Sequence, residues 1–84
     1  MNINEAWEYR DKIERERKDR MVEHAVFRIK KAIEDGDSEA EAWVEGREDY
    51  IFLYNKLVEE LGYDLDVGFP DLPDGTYKLF IKGW

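Results

Sequence analysis

Cysteine is absent from the chain, and histidine, serine and threonine occur once each, as His24, Ser38 and Thr76. Without cysteine there is no disulfide framework and no thiolate metal site, so a reducing compartment is expected. A nucleophile, a base and an orienting group cannot be assembled from the three remaining side chains. We therefore expect a protein that is not an enzyme, with no catalytic residues and no cofactor.

Long apolar runs are also absent. No stretch approaches the roughly 20 apolar residues of a membrane-spanning helix, and the charged first segment does not resemble a signal peptide. The 84 residues fit one small domain. We expect a cytoplasmic protein without a membrane partner.

Basic residues are scarce in the second part of the chain. Residues 1–33 carry nine basic and seven acidic side chains, whereas residues 34–84 carry four basic and fourteen acidic ones. An acidic surface repels phosphates, so direct nucleic-acid binding is not expected. The charge serves either solubility or the attraction of a basic protein partner, and the sequence leaves both interpretations open.

The first predicted element is a long helix. Asn2 and Glu5 form a capping box, and no glycine or proline occurs before Gly36, so the helix is predicted to end near Asp35. The second half has an apolar stripe, which predicts its buried face. That face is predicted to contain Val22, Val26, Ile29 and Ile33, flanked by Ala25 and Ala32.

The first half of this helix carries a separate apolar cluster around Trp7, whose centre lies nearly opposite Val26. The charged segment ERERKDR, residues 14–20, separates it from the second half and can be helical without packing on anything. We expect residues 1–20 to project as an N-terminal arm from a globular part formed by residues 21–84. A break near residue 20, with the arm folded back over the sheet, stays an open alternative.

Three strands and a second helix complete the prediction. Alternation predicts a strand over residues 39–45, although Ser38 and Glu41 also fit the capping box of a helix. Residues 47–61 predict a helix, residues 70–75 a turn-rich loop, and residues 76–84 the last strand. The helix is predicted to bury Tyr50, Ile51, Tyr54, Leu57, Val58 and Leu61. The strands are predicted to bury Tyr63, Leu65, Val67, Phe69, Tyr77, Leu79 and Ile81.

This order predicts an α+β fold, in which a long N-terminal helix is followed by β-α-β-β and a three-stranded sheet has helices on one face. The first two strands are expected to form a right-handed βαβ unit with the helix between them. The last two are expected to form an antiparallel hairpin. The second face of the sheet is left open.

The open face is the predicted binding site. Strand alternation places Trp43, Phe80 and Trp84 on it, while Trp7 and Phe52 also fall outside the predicted core. Aromatic anchors surrounded by charge are typical of protein interfaces. A foreign protein, a second copy of the chain and the folded-back arm all stay open as its occupant. The candidate partner-binding residues are Trp43, Phe80, Trp84, Trp7, Phe52, Glu39, Glu41, Glu45, Asp64 and Asp66.

The carboxylates predict no metal site. Residues 35–39 share features with a calcium-binding loop, but Gly36 stands second where such a loop has glycine at its sixth position. Asp64 and Asp66 share one face of their strand and could together hold a divalent ion, but they are expected to be solvent-facing strand residues or to pair across the hairpin with Lys78 and Lys82.

Three segments, RIKKAIEDGDSEAEAWVEG, YNKLVEELGYDLDV and YKLFIKGW, follow a recognisable scheme. An amphipathic helix ends at glycine, a strand follows, a helix closes in Leu-Gly-Tyr, and a hairpin ends in an aromatic residue. The scheme resembles a loose class of small acidic phage-encoded accessory proteins over about residues 26–84. The resemblance implies inhibition of host or defence enzymes, without naming a target.

Two functions are expected from these features. The first is a non-enzymatic inhibitor whose acidic surface occupies a basic nucleic-acid-binding site of an enzyme, partly as a mimic of DNA charge. The alternative is a homo-oligomeric sponge for a small ligand such as a nucleotide signal, or a self-assembling structural protein. In the sponge, an anionic ligand would meet Arg15, Arg17, Lys18 and Arg20.

Overall fold

The computed structural model describes residues 1–69 and 75–84 of the chain. Its elements, in order, are α1 (Ile3–Glu34), β1 (Ala40–Glu45), α2 (Arg47–Tyr54), a π-helical segment (Asn55–Glu60), β2 (Asp64–Phe69) and β3 (Thr76–Lys82). The predicted α+β class, with a long N-terminal helix and a three-stranded sheet, is confirmed. Within the described ranges, none of the helices is both long enough and apolar enough to cross a bilayer.

Local signals at both ends explain the length of α1. The Asn2 side chain accepts a hydrogen bond from the Glu5 amide at 2.9 Å, as in a capping box. At the other end Gly36 has φ 79°. Its amide donates to the Ile33 carbonyl at 3.1 Å, and the Asp37 amide donates to the Ala32 carbonyl at 2.8 Å. This is a Schellman ending, and it satisfies carbonyls that the helix leaves free.

The buried face of α1 differs from the predicted stripe. The helix buries Ala25, Ile29 and Ala32, whereas Ile33 is half exposed and Val26 is only partly covered. The prediction of a face centred on the valines and Ile33 is therefore wrong by about 60° of rotation around the helix axis. Small side chains explain why this face of α1 is buried. The helix packs against β1, which itself buries the small Ala40 and Ala42.

The strand order is β1-β3-β2, and both pairings are antiparallel. The predicted hairpin of the last two strands is present. The predicted pairing of the first two is wrong, because β3 lies between them. Leu79 and Ile81 of this central strand are completely buried. The predicted loop lies mostly outside the described residues, as does the side chain of Phe69.

The second helix is only partly as predicted. The π-helical segment follows α2 directly, and Leu61 donates its amide to the Lys56 carbonyl, five residues earlier. This wider winding rotates the following side chains relative to an α-helix. Leu53 and Leu57 are buried, whereas Ile51 and Leu61 are exposed, which corrects the predicted stripe. Tyr63, Leu65, Val67, Tyr50 and Tyr77 pack around the core, with the last two rings stacked at 5.0 Å.

The N-terminal arm belongs to one unbroken helix. Apart from a half-covered Ala6, every residue from Met1 to Arg17 is exposed. Arg17 is the first residue of the arm with a described ion pair to another element, through Asp49 of α2. The described molecule measures 51 × 29 × 21 Å, so it is markedly elongated.

Candidate protein-binding face

The outward side chains of β1 and β3 form a continuous surface, which we call the Trp43 face. It comprises Glu41, Trp43, Lys78, Phe80 and Lys82. The strand register sets Trp43 opposite Lys78 and Glu41 opposite Phe80. The intervening residues of both strands are buried or partly buried on the core side. Simple alternation therefore explains why these side chains share one surface.

Trp43 lies on the outer strand β1 and is 49% exposed. The Arg28 guanidinium carbon lies 5.3 Å from the centre of its ring, and the Lys78 Nζ lies 5.5 Å from it. Both distances are within the range of cation–π attraction. The indole thus attracts two cations while a large part of its surface stays accessible.

Phe80 is partly covered by its own sheet. Its ring lies beside Gly68, where an added Cβ would stand 2.3 Å from the Phe80 Cε2 atom. The register between β2 and β3 shifts at this point, between Val67 and Phe69. Glycine at such an irregularity lets an aromatic ring lie directly on the backbone. Lys78 Nζ lies 5.3 Å from the same ring.

The lysines of the face are neutralised by neighbouring carboxylates. Lys82 Nζ lies 2.7 Å from Asp66 and 3.9 Å from Glu39, and its hydrogen bond to Asp66 raises the Lys82 pKa above its usual value. Lys78 Nζ lies 3.7 Å from Glu41. Asp64, opposite Lys82 in the register, and Glu45 are exposed at the borders of the face. The predicted acidic residues therefore lie on or beside the same sheet face as Trp43, and several are partners of the lysines.

Trp84 lies elsewhere, which corrects the placement expected from strand alternation. β3 ends at Lys82, and Gly83 has φ 126°, so the chain leaves the strand before reaching the tryptophan. The Trp84 Nε1 donates to the Asp37 carbonyl at 2.9 Å. Its ring meets Tyr63 edge-on at 6.2 Å. Trp84 thus ties the turn after α1 to the start of β2.

Trp7 and Phe52 do not join the Trp43 face either. Trp7 is on the arm and is 58% exposed. Phe52 is on α2, half covered, with Lys18 Nζ 5.2 Å from the centre of its ring. Of the five predicted aromatic contacts, the structure therefore brings together only Trp43 and Phe80.

Arg28 is the residue that the sequence analysis missed. It projects from α1 past the free edge of β1, where its Nε donates to the Glu41 carbonyl and its guanidinium reaches Trp43. The only signal in the sequence is its place directly before the buried Ile29. This position predicts that Arg28 lies at the border of the buried helix face, next to a strand. Periodicity does not identify which strand that is.

The predicted anion-binding run of the arm is largely occupied by internal contacts. Arg17 donates to both carboxylate oxygens of Asp49, at 2.8 and 2.9 Å, and to Glu14 at 3.1 Å. The hydrogen bonds to Asp49 and Glu14 raise the pKa of Arg17, and the same bond from Arg17 lowers the pKa of Asp49. Lys18 covers Phe52, and Arg20 Nε donates to the Glu16 carbonyl at 3.4 Å. These contacts compete with the predicted binding of an anionic ligand by this run.

Among residues 1–69 and 75–84, no three histidine or carboxylate side chains gather as metal ligands would. Comparison of the chain with protein-family models, curated proteins and solved structures finds no match. The Trp43 face itself offers an aromatic ring, cations and carboxylates, which are groups that protein interfaces use. An exposed indole bordered by carboxylates suits arginine or lysine side chains, which stack on the ring and pair with the acids.

Proposed function

We propose that this chain is a non-enzymatic protein-binding module that docks on a partner with a basic surface through the Trp43 face. The observation that carries the proposal is the state of Trp43, half exposed on an acidic domain and within cation–π distance of Arg28 and Lys78. A large, accessible aromatic side chain on a charged surface is typical of interface hot spots.

Preorganisation supports the choice of Trp43 as the anchor. A side chain that is already restrained loses less conformational entropy when a partner immobilises it. The two cations restrain the indole, and the ion pairs of Lys78 and Lys82 restrain the surrounding side chains.

Charge supports a basic partner. Residues 21–84 carry seven basic and fifteen acidic side chains, whereas residues 1–20 carry six of each. The entire net charge of −8 therefore belongs to the globular part, which includes the Trp43 face. Such a field accelerates association with a basic surface, and added salt weakens the effect.

In its most specific form the proposal is an inhibitor that occupies the nucleic-acid-binding surface of an enzyme. The acidic field supports this form, because a surface that binds phosphates also attracts carboxylates. The resemblance to small acidic phage-encoded accessory proteins supports it as well, and extends the proposal to inhibition of host or defence enzymes in the cytoplasm.

The test compares three immobilised baits: the natural chain, Trp43→Ala and Ile51→Ala. Ile51 is an apolar control that is 45% exposed and lies on α2, whose buried Leu53 packs in the core behind the sheet. We expect the natural chain and Ile51→Ala to capture the same basic protein at low salt, and Trp43→Ala to lose at least about 90% of it, since hot-spot truncation costs about 2 kcal/mol or more. Equal capture by Trp43→Ala contradicts the proposal.

The inhibitor form has its own readout. The captured protein is purified, and its affinity for a labelled DNA oligonucleotide is measured with and without the chain. Competition is expected from the natural chain and not from Trp43→Ala. Binding of the chain and the oligonucleotide at the same time contradicts the inhibitor form and leaves the binding module intact.

A further inference from the structure

The arm presents an apolar face in the same direction as the buried face of α1. Trp7 precedes the buried Ala25 by eighteen residues, and Ile3 precedes the partly buried Met21 by the same number. Eighteen residues are five turns of an α-helix, so each pair lies on the same side. The sequence analysis placed this cluster opposite the core because it centred the core on Val26 rather than on Ala25.

The globular part ends before it reaches this face. Trp7 is 58% exposed and Ile3 is 64% exposed. The contacts of α1 with α2 begin farther along the arm, where Arg17 pairs with Asp49 and Lys18 covers Phe52. The helix rises about 1.5 Å per residue, so Trp7 stands about 15 Å beyond Arg17.

Four side chains follow one another along this side of the arm, which we call the seam. Ile3, Trp7, Arg10 and Glu14 are four, three and four residues apart, the intervals that keep side chains on one side of any α-helix. A coiled coil would be apolar at all four positions, whereas here only Ile3 and Trp7 are. The seam has one apolar half and one charged half, so a second helix that runs in the opposite direction brings the two halves together.

Charge favours a second copy over a basic partner as the occupant. The arm has six basic and six acidic side chains, whereas the globular part has a net charge of −8. A basic partner is attracted to the globular part and gains little at the neutral arm. Two copies repel each other through their globular parts, and the arms are where they can meet without that repulsion.

We propose that two copies pair their arms antiparallel, with Trp7 of each copy on Arg10 of the other and Ile3 of each beside Glu14 of the other. The first contact is a cation–π pair formed twice. The second brings a carboxylate close to the positive end of the opposite helix. Longer overlap is blocked, since α2 occupies the seam from Arg17 onward.

The antiparallel direction follows from the same charges. A parallel pair would set Arg10 against Arg10 and would bring both acidic globular parts side by side. In the antiparallel pair the two Arg17 residues are about 25 Å apart along the axis. At physiological salt that distance is about three Debye lengths, so the repulsion is mostly screened.

A seam this short buries less than the roughly 1,200 Å² of a standard stable interface. We therefore expect a reversible dimer with a dissociation constant on the order of 10–100 μM. Its salt dependence is opposite to that of a basic partner at the Trp43 face: added salt strengthens the dimer, because it screens the repulsion between the globular parts.

Sedimentation velocity over a concentration series tests the dimer. Trp7→Ala is expected to raise the dissociation constant at least about tenfold, the loss of about 1.4 kcal/mol or more. Tyr9→Ala is the matched control, because Tyr9 is also 58% exposed but lies about 200° around the helix from Trp7. A natural chain that stays monomeric up to about ten times the expected dissociation constant overturns the proposal, as does an equal effect of the two variants.

Cross-linking tests the direction. Since the chain has no cysteine, introduced thiols are the only ones present. A mixture of the Ile3→Cys and Glu14→Cys chains is expected to form the mixed disulfide, because the paired Cα atoms fall within bonding range. Preferential linkage of Ile3→Cys to itself indicates a parallel pair and overturns the arrangement. Trp7→Ala leaves Trp43 untouched, so failure of the dimer is distinguishable from failure of the proposed function.

Discussion

At the scale of single residues, polar contacts over long sequence distances fix the positions of the elements. Arg17 reaches Asp49, Trp84 reaches the Asp37 carbonyl, and Arg28 reaches the Glu41 carbonyl. The Arg17–Asp49 pair is bidentate, the geometry in which arginine binds a carboxylate best. It joins the arm to the first turn of α2 and so fixes the point at which the arm leaves the globular part.

This pair makes a prediction for pH. The hydrogen bond from Arg17 lowers the pKa of Asp49 below its ordinary value of 3.8. The stabilisation is therefore complete above about pH 5 and is lost as the pH falls through the lowered value. Because Arg17 is exposed and the Asp49 side chain is only partly covered, Asp49→Asn should reduce the free energy of unfolding at pH 7 by only about 0.5–1 kcal/mol.

Urea unfolding at several pH values measures this effect. The difference between Asp49→Asn and the natural chain should shrink as the pH approaches about 2. Glu48→Gln removes a neighbouring acid from the same helical turn and serves as the control for the helix dipole. If the loss in free energy of unfolding is constant with pH, or equal for Asp49→Asn and Glu48→Gln, it does not come from the Arg17–Asp49 pair.

At the scale of elements, α1 turns its smallest residues toward the sheet. The buried alanines of α1 and β1 let the helix backbone approach the strand closely, and the larger Ile33 remains half exposed. This choice rotates the whole helix. It therefore decides that Trp7, five turns away from Ala25, lies on the core side of the arm.

The rotation predicts an unusual pair of mutational effects. Ala25→Leu enlarges a buried contact and should lower the free energy of unfolding by about 1–3 kcal/mol through overpacking. Ile33→Ala removes a larger apolar side chain but should cost less than about 0.5 kcal/mol, because the site is half exposed. Urea unfolding of both variants measures the contrast, and the reverse order would restore the face predicted from the sequence.

Much of the fold follows from local patterns, and the rest depends on contacts between distant segments. Asn2 and Gly36 are sufficient to bound α1, and alternation is sufficient to assign Trp43 and Phe80 to one face of the sheet. Three features were out of reach: the neighbour of β1, the exit of Trp84 at Gly83, and the wrapping of Arg28 around the sheet edge. Each depends on which element packs beside which, and apolar spacing within a segment does not carry that information.

At the scale of the whole molecule, neutral and acidic regions are separated along the long axis. The arm has no net charge and the globular part carries −8. The local ion pairs of Lys78 and Lys82 offset only part of that excess. Self-repulsion therefore opposes the compact state of the globular part at low ionic strength.

Salt should accordingly raise the thermal midpoint. Between about 10 mM and 150 mM NaCl the Debye length falls from about 30 Å to about 8 Å, and we expect the midpoint to rise by roughly 2–5 °C. Differential scanning fluorimetry at low protein concentration, where the arms stay unpaired, measures the change. A variant with the exposed Glu48 and Glu59 changed to glutamine should respond less. A midpoint that falls with salt would mean that attraction between charges outweighs repulsion.

The strand order has a consequence for the growing polypeptide. β1 and β2 pair only with β3, and β3 is the last of the three strands in sequence. Synthesis from the N-terminus therefore releases both outer strands from the ribosome before the strand that joins them. During that interval α1 can already form, because its hydrogen bonds join residues that are close in sequence. The two outer strands cannot yet pair, because their common partner β3 has not been made. The nascent chain thus carries a formed α1 and two unpaired strand segments until residues 76–82 leave the ribosome.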